Sequence, residues 1–393
     1  MDRSIRLQVS LTILFSLLSQ SMNAQPDKLG RFNDTFVREL TEAGIVGGSF
    51  VFIRDGKIVA EVHHGSANLD KKQSVDTETI YHWASNTKPF TGIAIMQLRD
   101  RGSLKLDDPL TKYLPELRKI HNSHGSMDQV TIRHLLTHSG GFRGGTWPWR
   151  QGKDWEPFEP TEWSQLVAMF PFTEVLFKPG SKFSYSNPGV VYLGRTIEVI
   201  TGESYESYIE KNIFRPLGMT RSYFDTTPPH LLKHRSHSYY IRDGKRTEGR
   251  FDADTGITVS NSGLNSPVLD IVKYLNFVVG TGSESDRGIY DTVLKRPSLE
   301  EMFRPQLPAG TDANGNAGFT TDIGLIFFLN RREGRTFIGH GGDQNGFISY
   351  IDFEPASNQA SVIVMNTNVI YPANTPNDKD VVSRLRSAVR ALF

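Results

Sequence analysis

Ser85 and Lys88 stand three residues apart in Tyr81-His-Trp-Ala-Ser-Asn-Thr-Lys-Pro-Phe-Thr-Gly92, and no other Ser-x-x-Lys occurs in the chain. Ile93, Ile95, Met96 and Leu98 follow with helical spacing. A helix beginning at Ser85 stacks Ser85 and Lys88 one turn apart on a single face. A hydroxyl is a poor nucleophile until a base removes its proton, and an adjacent amine that can be neutral does so. Pro89 falls in the first turn, where a missing N–H is best tolerated. Taken alone, the pair reads as an N-cap serine followed by a solvated lysine. Its companions change that reading.

Lys182-Phe-Ser-Tyr-Ser-Asn-Pro-Gly189 is polar and rich in turn residues, and it carries Tyr185 and Asn187 two positions apart. If extended, the two side chains project the same way. A phenol in an electropositive pocket can shuttle a proton, and an amide can orient both the lysine and a substrate carbonyl. Further on, Ile338-Gly-His-Gly-Gly-Asp-Gln-Asn-Gly346 places His340, Gly341, Gly342 and Asp343 within or beside a strand. Glycines there permit close approach of a ligand backbone. The strand edge can offer an N–H to an oxyanion, paired with the N–H of Ser85. A third signal is the loop Leu135-Leu-Thr-His-Ser-Gly-Gly141. Tyr274-Leu-Asn276 repeats the Tyr-x-Asn pattern, but in an apolar helical stretch, where packing is the expected role. His230, His234 and His237 are loosely spaced in a polar, Pro-flanked stretch and are not read as a metal site. The sequence holds no His-Glu-x-x-His, no Gly-x-Ser-x-Gly and no Walker loop. No metal and no cofactor is expected.

With these residues assembled, the chain resembles the serine β-lactamase and penicillin-recognising enzyme superfamily. Within it, the chain is most similar to the class C-like branch of D-alanyl-D-alanine carboxypeptidases, D-aminopeptidases and esterases. Ser85-Asn-Thr-Lys88 matches the first motif and Tyr185-Ser-Asn187 the second. His340-Gly-Gly342 stands where Lys-Thr-Gly or His-Thr-Gly is usual. Leu135–Gly141, Lys178–Asn187 and Pro216-Leu-Gly-Met219 look like further family stretches, so the resemblance spans nearly all of residues 30–370. His63-His-Gly65 and His138-Ser-Gly140 also fit His-x-Gly, but both precede Tyr185, which is the wrong order.

The resemblance implies an acyl-enzyme on Ser85, with Lys88 and Tyr185 moving protons, Asn187 orienting the substrate and His340 with its glycines lining the opposite wall. Two departures bear on substrate. Histidine in place of the usual lysine weakens the case for a fixed positive charge facing a substrate carboxylate. Asp343 stands at the expected oxyanion-hole position, where its backbone N–H can donate together with that of Ser85 but its carboxylate disfavours an anionic substrate. Trp147, Trp149, Trp155 and Trp163, four of the five tryptophans, follow the Leu135–Gly141 loop in a region that borders the cleft in this superfamily. If Trp147 and Trp149 line the cleft, a bulky or apolar group is favoured. The alternative is a satellite core beneath a long loop.

These residues need elements to hold them. Phe32, Phe36 and Leu40 give residues 29–43 an amphipathic helix, and residues 48–62 read as a hairpin turning at Asp55-Gly56. The Ser85 helix should end near Gly102. Residues 130–141 read as a short helix capped by Thr131 and stopped by the glycine pair. Helices are also expected over 189–201, over 205–214 with Pro216 ending it, and over 267–279. Strands are expected over 336–339, 347–353 and 360–365, and a closing amphipathic helix over 381–393. The sum is an α/β (α+β) fold, with an antiparallel sheet flanked by N- and C-terminal helices and a mainly helical lobe inserted, of the β-lactamase/transpeptidase type. The discontinuous α/β lobe should take about 25–92 and 262–393, and the helical lobe about 93–261.

Length and charge narrow the setting. At 393 residues with a net charge of +1, the chain can bury a large core and carries no electrostatic footprint for nucleic acid. Arg3, Arg6 and the apolar run 11–18 read as a signal peptide over 1–24, with Ser21-Met-Asn-Ala24 offering the cut. The run is short for a membrane anchor. There is no cysteine, hence no disulfide and no lipid-bearing cysteine. The expectation is an exported protein, periplasmic or secreted, without a stable membrane anchor, acting on a small-molecule or peptide substrate.

Overall fold

The computed structural model describes residues 28–145, 160–252, 254–311, 320–372, 376 and 379–393. The expected leader over 1–24 and Trp147, Trp149 and Trp155 lie outside these residues. Among the described residues no helix is long and apolar enough to cross a membrane.

Asp55 and Gly56 both adopt left-handed backbone, with φ of 50° and 77°. This is the type I′ geometry that matches the twist of two antiparallel strands. They join β1 (Gly47–Arg54) to β2 (Lys57–Asn68), so the predicted hairpin is present and longer than its hydrophobic run suggests. Late in the chain come β3 (Phe328–Arg332), β4 (Arg335–Gln344), β5 (Phe347–Glu354) and β6 (Gln359–Met365). The spatial order is β2-β1-β6-β5-β4-β3, antiparallel throughout, with two-residue ladders at both edges completing nine strands. The chain's two ends thus meet at the centre of the sheet, where β1 pairs with β6.

The central strands are buried on both faces. β1 sends Val51 and Ile53 into one core and Phe50 and Phe52 into another, and β6 divides Val362 and Val364 from Ile363 and Met365 in the same way. Five helices position the rest: α1 (28–42), α2 (Lys88–Asp100), α3 (Asn187–Thr201), α4 (Val268–Val279) and α5 (Val381–Arg390). On one face Phe32, Phe36 and Leu40 of α1 and Val381, Leu385 and Val389 of α5 cover the sheet. On the other, α2, α3 and α4 share one continuous core with the strands. Tyr274 of α4 is buried against Phe90, the packing role expected for that decoy.

Three expectations need correction. The short helix capped by Thr131 runs Ile132–Leu136 and stops before the glycines, because His138 turns the chain at a left-handed φ of 49°. The helix expected to end at Pro216 instead passes through a π-turn over Glu210–Phe214 and continues over Arg215–Leu217. Pro216 falls at the first turn of that last piece, where its absent N–H is tolerated, and Gly218 at φ 69° ends the run. β3 was not anticipated, since Phe-Leu-Asn-Arg-Arg is short and only half apolar. A parallel ladder also occurs, between Tyr239–Arg242 and Thr367–Ile370, in a separate small sheet. Trp163 is a packing residue: it opens the helix Trp163–Met169, meets Phe170 and Tyr192 edge-on, and donates its Nε1–H to Glu116.

Candidate active site

Ser85 lies on a single 3-10 turn, Ala84–Thr87, that leads into α2, so the α-helix proper starts at Lys88 rather than at Ser85. The turn is strained: Ala84 sits at φ 48°, a region that a residue with a Cβ seldom occupies. Its surroundings hold it there. Trp83 is fully buried, its backbone N–H donates to the Leu264 carbonyl at 2.8 Å, and its Nε1 donates to the Ser266 carbonyl at 2.8 Å. The Thr87 hydroxyl donates to the Ala84 carbonyl at 2.7 Å and accepts from the Leu264 N–H at 3.0 Å.

Below Ser85, the Lys88 side chain is 0% exposed. Its Nζ donates to Ser85 Oγ at 2.8 Å and to the Asn261 carbonyl at 2.9 Å. Burial holds the amine well below its ordinary value of 10.5, so the neutral form is favoured. Tyr185 is half-buried, with its ring centre 4.9 Å from Lys88 Nζ and its hydroxyl hydrogen-bonded to Ser85. Burial pushes that phenol above its ordinary value, outweighing the opposing bond to Ser85. Of the two groups the amine therefore sheds its proton first. Asn187 begins α3 behind Ser186, whose hydroxyl caps the helix through the Gly189 N–H at 3.1 Å. Among the described residues, the buried Asn187 Oδ1 has no hydrogen-bond partner.

The opposite wall is β4. Its pairing with β3 stops at Gly339, opposite Phe328, whereas its pairing with β5 continues to Gln344. From His340 onward, one edge of β4 is therefore free of a neighbouring strand among the described residues. A Cβ at Gly342 would lie 2.2 Å from the Trp83 carbonyl oxygen, so only glycine lets β4 run this close to the turn that carries Ser85. His340 is buried and stacks on Phe328 at 4.3 Å, and its Nδ1 donates to the Gly341 carbonyl at 2.7 Å. Burial pushes it down to about 3, so the imidazole is neutral. Asp343 is exposed, and its Oδ1 accepts from Asn368 Nδ2 at 2.8 Å.

A cleft of about 270 Å³ brings together Ser85, Tyr185, Asn187, His340, Gly341, Gly342 and Asp343, with Lys88 beneath its floor. Three of its lining residues were not anticipated: Phe328, Tyr350 and Arg386. Arg386 projects from α5, with its guanidinium 4.1 Å from the centre of the Tyr350 ring. Asp352 is engaged at 2.9 Å by Arg390 and lies 3.9 Å from Arg386, so the nearest acid is already paired. In the sequence, Arg384, Arg386 and Arg390 look like the solvated face of an amphipathic helix, and nothing there marks one of them as facing a cleft.

The family model named Beta-lactamase matches residues 32–383. The chain belongs to the beta-lactamase family. Protein flp of Staphylococcus aureus is 27% identical over 340 residues, which make up 86% of this chain and 63% of that protein. The chain thus spans under two thirds of that relative's length. An Escherichia coli K12 protein provisionally named as a D-alanyl-D-alanine carboxypeptidase is 26% identical, covering 94% of this chain and 92% of its own. Among solved structures, the class C β-lactamase of Rhodobacter sphaeroides aligns with a TM-score of 0.71 at 19% identity, over 93% of this chain and 98% of that one. At that identity the likeness is one of fold.

The buried amine has a cost in stability that can be measured. Unfolded, Lys88 titrates at its ordinary value near 10.5; folded, it titrates lower. Folding must therefore expel a proton at any pH between the two, and the residue subtracts stability that grows as pH falls from 10.5 toward the folded value. Lys88→Met, similar in shape and uncharged, is expected to raise the thermal midpoint at neutral pH, with the gain shrinking as pH approaches 10.5. Scanning calorimetry across that range checks it; a lowered midpoint, or a gain independent of pH, contradicts the assignment.

Proposed function

We propose that the protein is an exported serine hydrolase that cleaves an ester or amide through a covalent acyl-enzyme on Ser85. The observation that carries this reading is the Lys88 amine, buried and 2.8 Å from Ser85 Oγ, with its charged form disfavoured. Ser85 Oγ attacks the substrate carbonyl while its proton passes to Lys88 Nζ. The tetrahedral oxyanion is received by the Ser85 N–H and by the unpaired edge of β4 at Asp343. Tyr185 gives its hydroxyl proton to the leaving alkoxide or amine and is reprotonated from Lys88. Water then attacks the acyl carbonyl, its proton returns through the same pair, and Ser85 is released with a free acid as product. Asn187 orients the substrate, and His340, Gly341 and Gly342 form the facing wall. The alternative is a binding or sensing protein with the same fold and no turnover.

A narrower reading follows from Arg386. His340 is neutral and supplies no cation, but the Arg386 guanidinium stands on the same wall. That favours an acyl donor with a carboxylate, such as a peptide ending in D-alanine, over a purely neutral ester. The expected preference for bulky apolar groups rests on Trp147 and Trp149, outside the described residues.

The nucleophile is tested by incubation with a fluorophosphonate, which should add its mass to the peptide containing Ser85. Turnover of an aryl ester, a D-Ala-D-Ala peptide and a cephalosporin should vanish in Ser85→Ala, and Arg386→Ala should raise KM for the peptide while sparing the ester. Labelling elsewhere, or turnover that survives Ser85→Ala, sinks the acyl-enzyme reading; equal effects on peptide and ester remove the role of Arg386.

The base is tested by pH. Lys88 is lowered, Tyr185 is raised and His340 titrates near 3, so loss of kcat/KM on a neutral ester at falling pH belongs to protonation of Lys88. A profile that stays flat between about pH 5 and 9 contradicts it.

Export is tested by expression in a bacterium with the native leader. The mature chain should begin near Gln25 and leave with the periplasmic fraction, whereas full-length protein in the membranes would favour an anchor.

A further inference from the structure

His138 lies at the end of the short helix Ile132–Leu136 and is 1% exposed. Its backbone is left-handed, at φ 49°, and is held there by its own N–H to the Leu135 carbonyl at 3.1 Å and by the Ser139 N–H to the His134 carbonyl at 2.8 Å. From this position it meets the Tyr185 segment three times. The Ser184 N–H donates to the His138 carbonyl at 2.8 Å. The Ser186 N–H donates to His138 Nδ1 at 3.2 Å. The imidazole lies against the Tyr185 ring, with centroids 4.6 Å apart and planes tilted by 37°.

These contacts fasten the peptide on both sides of Tyr185 and the phenol itself, all from one residue. Tyr185 needs such a fastening because it sits in an irregular stretch just before α3, with no ladder of backbone bonds to fix its torsions. We propose that His138 is a positioning residue for Tyr185, holding the phenol hydroxyl in place against Ser85 and Lys88. This rests on the acyl-enzyme reading, since it is there that the hydroxyl moves a proton.

The chemistry of the imidazole suits the task. Accepting a backbone N–H on Nδ1 requires a lone pair there, so the neutral ring carries its proton on Nε2. Burial keeps the ring neutral. A protonated ring would lose the lone pair that holds Ser186 and would place a cation beside the amine that must accept a proton.

The experiment compares two substitutions that both tolerate a positive φ. His138→Gly removes ring and acceptor; His138→Asn keeps an acceptor oxygen close to the position of Nδ1. Each is read by the rate of Ser85 acylation with a fluorophosphonate, by kcat and KM on an aryl ester, and by thermal midpoint. His138→Gly should slow acylation and kcat by about 10- to 100-fold, the cost of a small misplacement at a reacting centre, with KM little changed. His138→Asn should recover most of that loss. On a Tyr185→Phe background, which lacks the hydroxyl, His138→Gly should cost less than about 3-fold more, because it acts through that hydroxyl. If the His138→Gly chain does not fold, His138→Ala takes its place, removing ring and acceptor with less backbone freedom than glycine, and alanine already occupies φ 48° at Ala84.

A loss of equal size on both backgrounds, or unchanged acylation in a folded His138→Gly, overturns the role. Failure of the unsubstituted protein to label at Ser85 removes the acyl-enzyme reading and this role with it. Normal labelling with an equal loss on both backgrounds removes the His138 role alone.

Discussion

A lysine amine buried beside a serine hydroxyl, with a backbone carbonyl as its other hydrogen-bond partner, is the constraint on which the rest of this site depends. Lys88 reaches Ser85 and the Asn261 carbonyl, and burial is what displaces its protonation equilibrium. A carboxylate in contact would restore the positive charge and remove the basicity. The neighbours obey the same restriction. His138 and His340 are driven toward their neutral forms by burial, and Tyr185 is held protonated for the same reason. Four titratable groups thus crowd around one hydroxyl with their charges suppressed. The nearest fixed charges, on Arg386 and Asp343, stand further out along the cleft wall.

Such an arrangement needs a scaffold that resists relaxation. Three backbone features at the site are unfavourable in isolation: Ala84 and His138 at positive φ, and a strand passing so close to the Trp83 carbonyl that position 342 admits no Cβ. Each is tied to an element that does not move easily. The Ala84 turn is bonded to the strand Leu264–Pro267, and Gly342 belongs to a strand whose partner β5 lies within the doubly covered sheet. The site itself forms where the sheet opens, since β4 continues past the end of its pairing with β3. That opening leaves a strand edge beside the nucleophile, and edges of this kind are where backbone N–H groups are available to a ligand.

The family likeness gives this geometry a context without choosing a substrate. The family model covers most of the chain, and the fold brings Ser85, Tyr185, Asn187 and His340 with its glycines to one cleft. The electrostatics of the cleft come from distant parts of the chain. The His340 imidazole is neutral, and the positive charge on that wall belongs to Arg386, on a helix late in the chain.

Much of this was legible before any fold was known, for physical reasons that differ between residues. The Ser85–Lys88 relation is local: any helical turn brings positions three apart together, so it survives even though the α-helix starts at Lys88 and Ser85 rides a 3-10 turn. The β1–β2 turn was readable because Asp-Gly is among the few pairs that accept two positive φ values. The two-sided burial of β1 and β6 follows from their unbroken apolar runs. Other features depend on contacts between distant parts of the chain, which no local pattern encodes. In sequence His138 reads as a chance His-x-Gly match, yet it meets Tyr185, 47 positions later. Arg386 looked like solvent-facing helix because periodicity identifies the buried face but not what stands opposite the polar one. Spacing thus determined which groups could react and in what order they occur. Tertiary packing alone decided their protonation, because burial depends on atoms brought in from everywhere else in the chain.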